Sequence, residues 1–357
     1  MKKILILLLL TLALTACGGG DADLPYEEAT TPTETTTPEQ TTPAPPYPPT
    51  TPPVPAERIS VQMAQPHEIP QSVTIDGMVI DVYETFLDLS DRNLTEADII
   101  PLRYLFRLTH LELNGNSIID LTQTVIPYMT NLVFLNLAHN RLTTEYHLPF
   151  AFLEDITPLA NLTDMGWLWL NGNHITDISV LANMPHLIHV DLSWNPIRDI
   201  SVLAGMTQLQ SLFMNSTMVN DLTPIAGLTD MTNMDISGNN FSDISPLANL
   251  TRLTWLMMSR SHAVTDITPL SNLTNLDTLS IANASINDLT PLSTLTNLGW
   301  LDISDLNWFH IGPLTDLTPL SNLPHLHSLN ILGHGNYITD WTPVSHVQNV
   351  FPEPPTP

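Results

Sequence analysis

The sequence of 357 residues is poor in several residue types and motifs, and each absence excludes a class of protein. It contains one cysteine, Cys17, so no disulfide can form within the chain. Ten basic residues stand against 36 acidic ones, giving a net charge of −26; this disfavours nucleic acid as a partner. The sequence lacks a glycine-rich phosphate loop and a serine-nucleophile motif. We therefore predict no catalytic residues, no cofactor and no metal site.

The sequence also lacks an apolar run long enough to cross a bilayer, which takes roughly 20 residues. Lys2 and Lys3 precede a short apolar segment, as in secretory signal peptides. The segment 14–17, Leu-Thr-Ala-Cys, resembles the bacterial lipobox. This resemblance implies that residues 1–16 are a lipoprotein signal peptide and that Cys17 is the lipid attachment site, on the extracytoplasmic face of the membrane. An ordinary secretory signal with an incidental cysteine is the alternative.

Two segments are too rich in proline and polar residues to form a core. Residues 17–56 contain mainly threonine, proline, glutamate and glycine, and such a composition favours an extended, disordered stalk. Residues 346–357 are predicted to be a proline-rich tail. The folded part therefore lies between residues 57 and 345.

That folded part repeats itself. A Leu-x-Leu pair followed by Asn and later by Asp-Ile recurs at residues 168–178 and 190–200, a spacing of 22 residues. A fixed period of this length is typical of a solenoid, in which stacking buries what one coil alone would expose. Counting the apolar pair as the marker gives eleven copies, which begin at Leu87, Leu111, Leu135, Leu168, Val190, Leu212, Met234, Leu256, Leu279, Leu301 and Leu329.

Each part of the repeat predicts a local structure. The apolar pair predicts a short parallel strand with its leucines in the core and the flanking residues on a concave face. The asparagine three residues later can satisfy backbone groups of its own and adjacent coils. In the segment Asp-Ile-Thr/Ser-Pro-Leu, the hydroxyl residue is expected to cap a turn of 3₁₀ or α helix on the return side.

Residues 57–85 are predicted to cap the open edge of the first coil. Apolar residues alternate over residues 73–80 around Asp76-Gly77, a pair that suits a tight hairpin turn. The predicted fold is an α/β solenoid: a leucine-rich-repeat horseshoe of about eleven coils over residues 86–345, with a parallel concave sheet, short convex 3₁₀ or α segments and a small N-terminal β cap.

The 22-residue period with its Asp-Ile-x-Pro-Leu segment resembles the internalin-like leucine-rich-repeat family of bacterial surface proteins. The resemblance covers about residues 73–345 and implies a surface-displayed binding module. The sequence departs from the family at insertions around residues 143–153 and 307–313. It also replaces the repeat asparagine with other residues, namely Arg92, Thr217, Ser261, Ala284, Leu306 and His334.

The residues flanking each apolar pair form columns along the predicted concave face. We expect aromatic and acidic members of these columns to bind a partner, because exposed aromatics on a rigid sheet are typical of binding hot spots. The alternative is that they only cover the sheet or pack under an insertion. The predicted binding residues are Phe134, Trp167, Trp169, His189, Asp191, Phe213, Asp235, Trp255 and Trp300.

The sequence thus favours a monomeric, lipid-anchored surface protein that binds a protein partner, as an adhesin or interaction module. A carbohydrate-binding protein that uses its concave tryptophans is the alternative, and a structural spacer in the envelope is a third possibility. Acid pairs such as Asp88 with Glu112 could be proposed as glycosidase carboxylates. An open face cannot exclude water, however, so a polar recognition surface is the simpler interpretation.

Overall fold

A computed structural model describes residues 63–65, 69–142, 151–305, 314–333 and 337–352. The predicted signal peptide, the stalk and Cys17 lie outside these residues, as do most of both insertions. In the part of the chain that is described, no helix is both long and apolar enough to cross a membrane.

Within the described residues, twelve of the sixteen strands form one parallel sheet, in which each strand pairs with the strand of the next coil. Its order is β16-β15-β14-β13-β12-β11-β10-β9-β8-β5-β4-β3, and the remaining strands form two antiparallel pairs, β1 with β2 and β6 with β7. The strands are β1 Ser72–Ile75, β2 Met78–Asp81, β3 Phe86–Asp88, β4 His110–Glu112, β5 Phe134–Asn136, β6 Arg141–Leu142, β7 Ala151–Phe152, β8 Trp167–Trp169, β9 His189–Asp191, β10 Ser211–Phe213, β11 Asn233–Asp235, β12 Trp255–Met257, β13 Thr278–Ser280, β14 Trp300–Asp302, β15 Ser328–Asn330 and β16 Asn349–Phe351.

The core includes the apolar residues at the centre of each strand and two positions later, together with apolar residues of the return segments such as Ile178 and Leu181. Leu168 pairs in register with Leu135 on one side and Val190 on the other, and all three are fully buried. The same register repeats along the sheet, so the apolar side chains stack into one continuous core. The leucine-rich-repeat solenoid and its parallel sheet are confirmed.

The hairpin predicted around Asp76-Gly77 is also present. β1 and β2 pair antiparallel, and the two turn residues have positive φ of 48° and 74°. Val73, Ile75 and Ile80 face the core, so the hairpin covers apolar residues that the first coil would otherwise expose. Arg92, which stands where the repeat has asparagine, pairs with Asp76 of this cap at 3.0 Å.

The sheet has one strand more than the eleven predicted. β16 lies in the segment assigned to a proline-rich tail, and it pairs in parallel with β15 through Val350 and Leu329. The prediction failed because Pro352 occupies the place of the second inward leucine, so the Leu-x-Leu marker is incomplete there. The repeat stack therefore extends to residue 351.

The return side of the coils contains short 3₁₀ helices, and their caps differ from the prediction. The backbone N–H of Thr157 donates to Asp155 Oδ1 at 2.8 Å, and the same bond recurs in the coils that follow, as between Ser179 and Asp177. The hydroxyl residue therefore begins the helix, and the aspartate two residues earlier satisfies its N–H. The helices are Ile100–Tyr104, Leu121–Gln123, Ile126–Tyr128, Thr157–Asn161, Ser179–Asn183, Ser201–Gly205, Thr223–Ile225, Ser245–Asn249, Thr268–Asn272, Thr290–Thr294, Thr318–Leu320 and Thr342–Val344.

The asparagine of the repeat bridges neighbouring coils, as predicted. Asn140 is fully buried, and its Nδ2 donates to the carbonyls of Leu137 in its own coil and Leu113 in the coil before, each at 3.0 Å. Its Oδ1 accepts from the N–H of Ile118. We call this series the amide ladder; its members are Asn116, Asn140, Asn173, Asn195 and Asn239, all of them buried.

Candidate partner-binding surface

One surface of the parallel sheet carries a chain of aromatic rings that crosses several coils. His110 stacks on Phe134 with ring centroids 5.7 Å apart, and Phe134 meets Trp169 edge-on at 4.8 Å. Trp169 contacts His189, which contacts Phe213, which contacts Trp255, with centroid distances of 5.8, 5.2 and 5.7 Å. We call this series, from His110 to Trp255, the aromatic ladder.

The register of the strands produces this ladder from residues far apart in sequence. Trp169 lies opposite Asn136 and Asp191, and Phe213 lies between Asp191 and Asp235. Because neighbouring strands are about 4.8 Å apart, large rings on nearby coils can bridge the gap left by a smaller residue. The ring contacts thus bring together five of the predicted binding residues, Phe134, Trp169, His189, Phe213 and Trp255, and extend to His110.

The rings are less exposed than predicted. Phe134 is buried, with 6% of its surface accessible, and Trp169, His189, Phe213 and Trp255 are half-buried. Each ring covers part of its neighbour, so a partner would touch ring faces and edges rather than whole side chains. The packing also limits how far each ring can turn, which lowers the entropy cost of binding.

Two predicted tryptophans lie beside the ladder rather than in it. Trp167 lies in register between Phe134 and His189, and the ladder passes from Phe134 to His189 through Trp169 instead. Trp300 pairs in register with Thr278 and Ser328, neither of which is aromatic. Both tryptophans are half-buried.

The two predicted acids lie within the ladder, in alternation with its rings. Burial raises the pKa of Asp191 to about 6; the charge of Asp235 raises it too, and hydrogen bonds from Ser193 oppose the shift. The pKa of Asp235 is also raised by burial, although Asn215 and Ser237 donate hydrogen bonds to it. Asp235 is the more deeply buried of the two, with only 7% of its surface accessible.

Burial lowers the pKa of both histidines of the ladder, His110 and His189. Burial lowers the pKa of His189 to about 4, so its ring is neutral at physiological pH. Among the acids predicted as a pair, Glu112 lies in register with Asp88 and has a pKa raised chiefly by burial. Its Oε2 accepts a hydrogen bond from Asn136, so these carboxylates belong to the polar end of the same surface.

Trp194 is a candidate that the sequence interpretation missed. It is 61% exposed and has a φ of 57°, a left-handed conformation that a bulky side chain adopts only at a cost. Gly115, Gly172 and Gly238 occupy this position in other coils. A tryptophan at a turn position that favours glycine was the available signal, and Trp194 follows Asp191 by three residues.

A shallow depression lies away from the ladder. It has a volume of about 360 Å³ and is lined by Asp277, Asn297, Gly299, His325 and His327. Residues 299 and 327 immediately precede β14 and β15, so the depression lies beside the strands at their amino ends. Within the described ranges, no group of three or more histidine, cysteine or acidic side chains could hold a metal ion.

Comparisons with known proteins agree with the repeat architecture. The family described as leucine-rich repeats in two copies matches residues 167–205. An internalin of Listeria monocytogenes, InlF, has 25% identity over 77% of this chain and 90% of its own, with a TM-score of 0.59. Internalin C2 of the same organism has 30% identity over 62% of this chain and 80% of its own, with a TM-score of 0.45. A TDR receptor has 21% identity over 71% of this chain and 44% of its own, with a TM-score of 0.57, and shows the shared fold. No curated protein matches the sequence.

Proposed function

The chain belongs to the internalin-like leucine-rich-repeat proteins, and we propose that it binds a protein partner through the aromatic ladder of its sheet. The proposal depends on the five ring contacts that join His110 to Trp255 without a gap. Large half-buried aromatics on a rigid sheet lose little entropy when a partner covers them.

The angles between the rings favour a protein over a carbohydrate. Sugar rings stack best on tryptophan faces that lie in one plane, whereas Phe134 and Trp169 are at 87° and Trp169 and His189 at 80°. Phe213 and Trp255 are at 57°. Such an uneven surface with carboxylates between its rings suits the mixed side chains of a protein.

We extend the proposal to the location of the protein. The lipobox-like segment 14–17 and the stalk 17–56 support a lipid anchor at Cys17 that holds a monomeric binding domain away from the bacterial membrane. Replacing Cys17→Ala should release the protein from the membrane fraction or leave its signal peptide uncleaved. Normal membrane retention with a mature N-terminus would refute the anchor.

We propose no catalytic role for the surface. Asp191 and Asp235 are separated in register by Phe213 and lie on one face of an open sheet rather than in an enclosed cleft. Recognition therefore explains these residues more simply than glycosidase chemistry does.

The binding proposal is tested by probing arrays of bacterial-envelope proteins, host proteins and glycans with the full chain and two variants. Trp169→Ala should weaken binding to the protein captured by the parent at least about thirtyfold, the loss typical of a hot-spot residue. Trp300→Ala is the matched control, since it removes the same side chain from the same surface outside the ladder; its effect should be smaller. Both variants should melt within a few degrees of the parent.

Three outcomes would count against the proposal. One is a folded Trp169→Ala variant that binds like the parent. Another is an equal loss for the two tryptophans, which would mean that the ladder is not the centre of the site. The third is binding only to glycans, with little dependence on salt, which would favour the carbohydrate alternative.

A further inference from the structure

The central part of the aromatic ladder alternates rings with carboxylates along one column of the sheet. Consecutive members of this column are Trp169, Asp191, Phe213 and Asp235, each in register with the next. With strands about 4.8 Å apart, the backbones of the two aspartates are about 10 Å apart, and the Phe213 ring lies between them. We call these four residues the acid-aromatic column.

The two carboxylates lack a cationic partner. The ion pairs of the described residues are Arg92 with Asp76, His174 with Glu154 and Arg252 with Asp230, and none involves the column. No lysine or arginine flanks the apolar pair in any of the eleven predicted coils. The neighbouring His189 is kept neutral by burial, which lowers its pKa to about 4.

The hydrogen bonds at the two carboxylates are unequal. Asp235 accepts from Asn215 Nδ2 and from the backbone N–H of Ser237, which engage both of its oxygens. Among the described residues, Asp191 is hydrogen-bonded by Ser193 alone, whose backbone N–H donates to Asp191 Oδ1 at 3.0 Å and whose hydroxyl also lowers the pKa of the carboxyl. Partial burial with incomplete hydrogen bonding favours the arrival of a positive group, which would stabilise the charged carboxylate.

We propose that the acid-aromatic column receives an arginine or lysine side chain of the partner protein. The alkyl part of that side chain lies against Phe213 and Trp169, and its cationic head lies at Asp191 beside the Phe213 ring, while the more deeply buried Asp235 adds its charge from the other side of that ring. Cation–π attraction to the rings and the charge-assisted hydrogen bonds that the head group donates to Asp191 both hold the same head group. The net charge of −26 on the chain also steers a basic protein surface toward the site. This inference rests on the proposed function of the ladder and specifies the chemistry of its partner.

The test uses a phage-displayed library of random peptides, selected on the full chain. Peptides whose binding falls at least about thirtyfold with Trp169→Ala define those that use the ladder. Most of these should contain an arginine or lysine that cannot be replaced by glutamine. They should bind Asp191→Asn about tenfold more weakly and the double variant Asp191→Asn, Asp235→Asn more weakly still.

Asp302→Asn is the matched control. Asp302 occupies the equivalent strand position in a later coil, between Ser280 and Asn330, and no ring of the ladder lies next to it in register. This variant should bind these peptides like the parent. Thermal melting of every variant checks that the sheet remains folded; asparagine keeps the acceptor for the Ser193 N–H.

The outcomes separate this inference from the proposed function. Peptides that need Trp169 but contain no essential basic residue, or that bind Asp191→Asn like the parent, would overturn the inference and leave the ladder as a binding surface. Selection that yields only peptides indifferent to Trp169 would count against both. An equal loss with Asp302→Asn would show that the acidity of the whole chain, rather than the column, selects basic peptides.

Discussion

The coils of β4–β11 and those of β12–β16 share one backbone register but differ in the side chains that they present. The amide ladder ends at Asn239 in the coil of β11, and the aromatic ladder ends one coil later at Trp255. Beyond them, Ser261 and Ala284 stand in place of asparagine, and the column that contains Phe213 continues as Ser280, Asp302 and Asn330.

The parallel pairing continues to β16 without the amides, so stacked apolar residues are enough to set the register. Thr217 shows an intermediate case, since its hydroxyl lies within hydrogen-bond distance of both Met214 O and Asn239 Oδ1, at 3.1 and 2.6 Å, and can donate its proton to one of them. The amides are concentrated in the coils that carry the aromatic ladder. We infer that they stiffen the part of the sheet that carries the binding residues, where rigidity lowers the entropy cost of association.

The largest expected change in the free energy of unfolding comes from removing a ladder asparagine in the coils of β4–β11. The matched change removes the residue at the same repeat position in the coils of β12–β16. Asn140→Ala would leave the carbonyls of Leu113 and Leu137 and the N–H of Ile118 without their buried partner. Because each such group costs about 1–3 kcal/mol, the free energy of unfolding should fall by at least about 3 kcal/mol. Urea denaturation followed by circular dichroism measures the change.

Ser261→Ala is the counterpart, and its effect should have the opposite sign. The Ser261 hydroxyl is fully buried and has no hydrogen-bond partner among the described residues. Removing it should raise the free energy of unfolding by about 1 kcal/mol, since an unsatisfied buried group is lost. If both alanine variants lost similar stability, the difference between the two regions would not lie in their buried polar groups.

Much of the repeat architecture could be predicted because it depends on residues that recur every coil. The inward leucines, the bridging amide of Asn140 and the Asp76-Gly77 turn each carry a local pattern with one structural solution. The helix caps could not be assigned in this way. Both Asp155 and Thr157 are capping residues by type, and only the backbone angles of Ile156, which make it the residue before the helix, give the hydrogen bond to the aspartate.

The residues that lie together in the candidate site were largely predicted from the sequence, but the burial of their side chains was not. Sequence columns correctly place Trp169, Asp191 and Phe213 beside one another, because register follows from the repeat. They cannot say that Asn215 would cover Asp235, or that rings of different coils would pack edge-on, because these depend on the side-chain rotamers of several coils at once. Trp194 was missed because its strained conformation is seen only in its backbone angle φ, although a tryptophan where other coils have glycine was a signal in the sequence.

A smaller change in the free energy of unfolding should depend on pH and should differ between Asp191 and Asp235. The pKa of Asp191 is raised from 3.8 to about 6, mainly by burial, so the folded state holds its proton more tightly than the unfolded state. Above pH 6 the charged form reduces stability, and below pH 3.8 this penalty is absent. Asp191→Asn should therefore stabilise the protein at pH 8 by on the order of 2 kcal/mol, and this gain should vanish as the pH falls to 3.8.

The comparison is made as a difference between the parent and the variant at each pH, because other groups also titrate. His189 on the same strand and Asp235 two coils away both face Asp191, and in the difference their separate contributions largely cancel. Asp235→Asn should give a smaller gain, since hydrogen bonds from Asn215 and Ser237 already stabilise that carboxylate. A gain for Asp191→Asn that did not change with pH would show that its charge is not the cause.

The smallest expected change in stability comes from replacing Trp194, in the coils of β4–β11, and it tests whether this side chain serves binding rather than folding. Trp194 adopts a φ of 57° and is 61% exposed, whereas the neighbouring coil has Gly172 at φ 69° in the same position. Because glycine occupies this conformation without strain, Trp194→Gly should leave the free energy of unfolding unchanged or raise it by up to about 1 kcal/mol.

If the exposed ring extends the binding surface beyond the aromatic ladder, the same variant should bind the partner or the selected peptides about tenfold more weakly, as titration by calorimetry would measure. Ser216→Gly relieves the same strain one coil on, at φ 53°, without removing an aromatic ring, so it should match the stability change and keep full binding. Equal binding by the two glycine variants would confine recognition to the ladder and leave the strained tryptophan without a role in it.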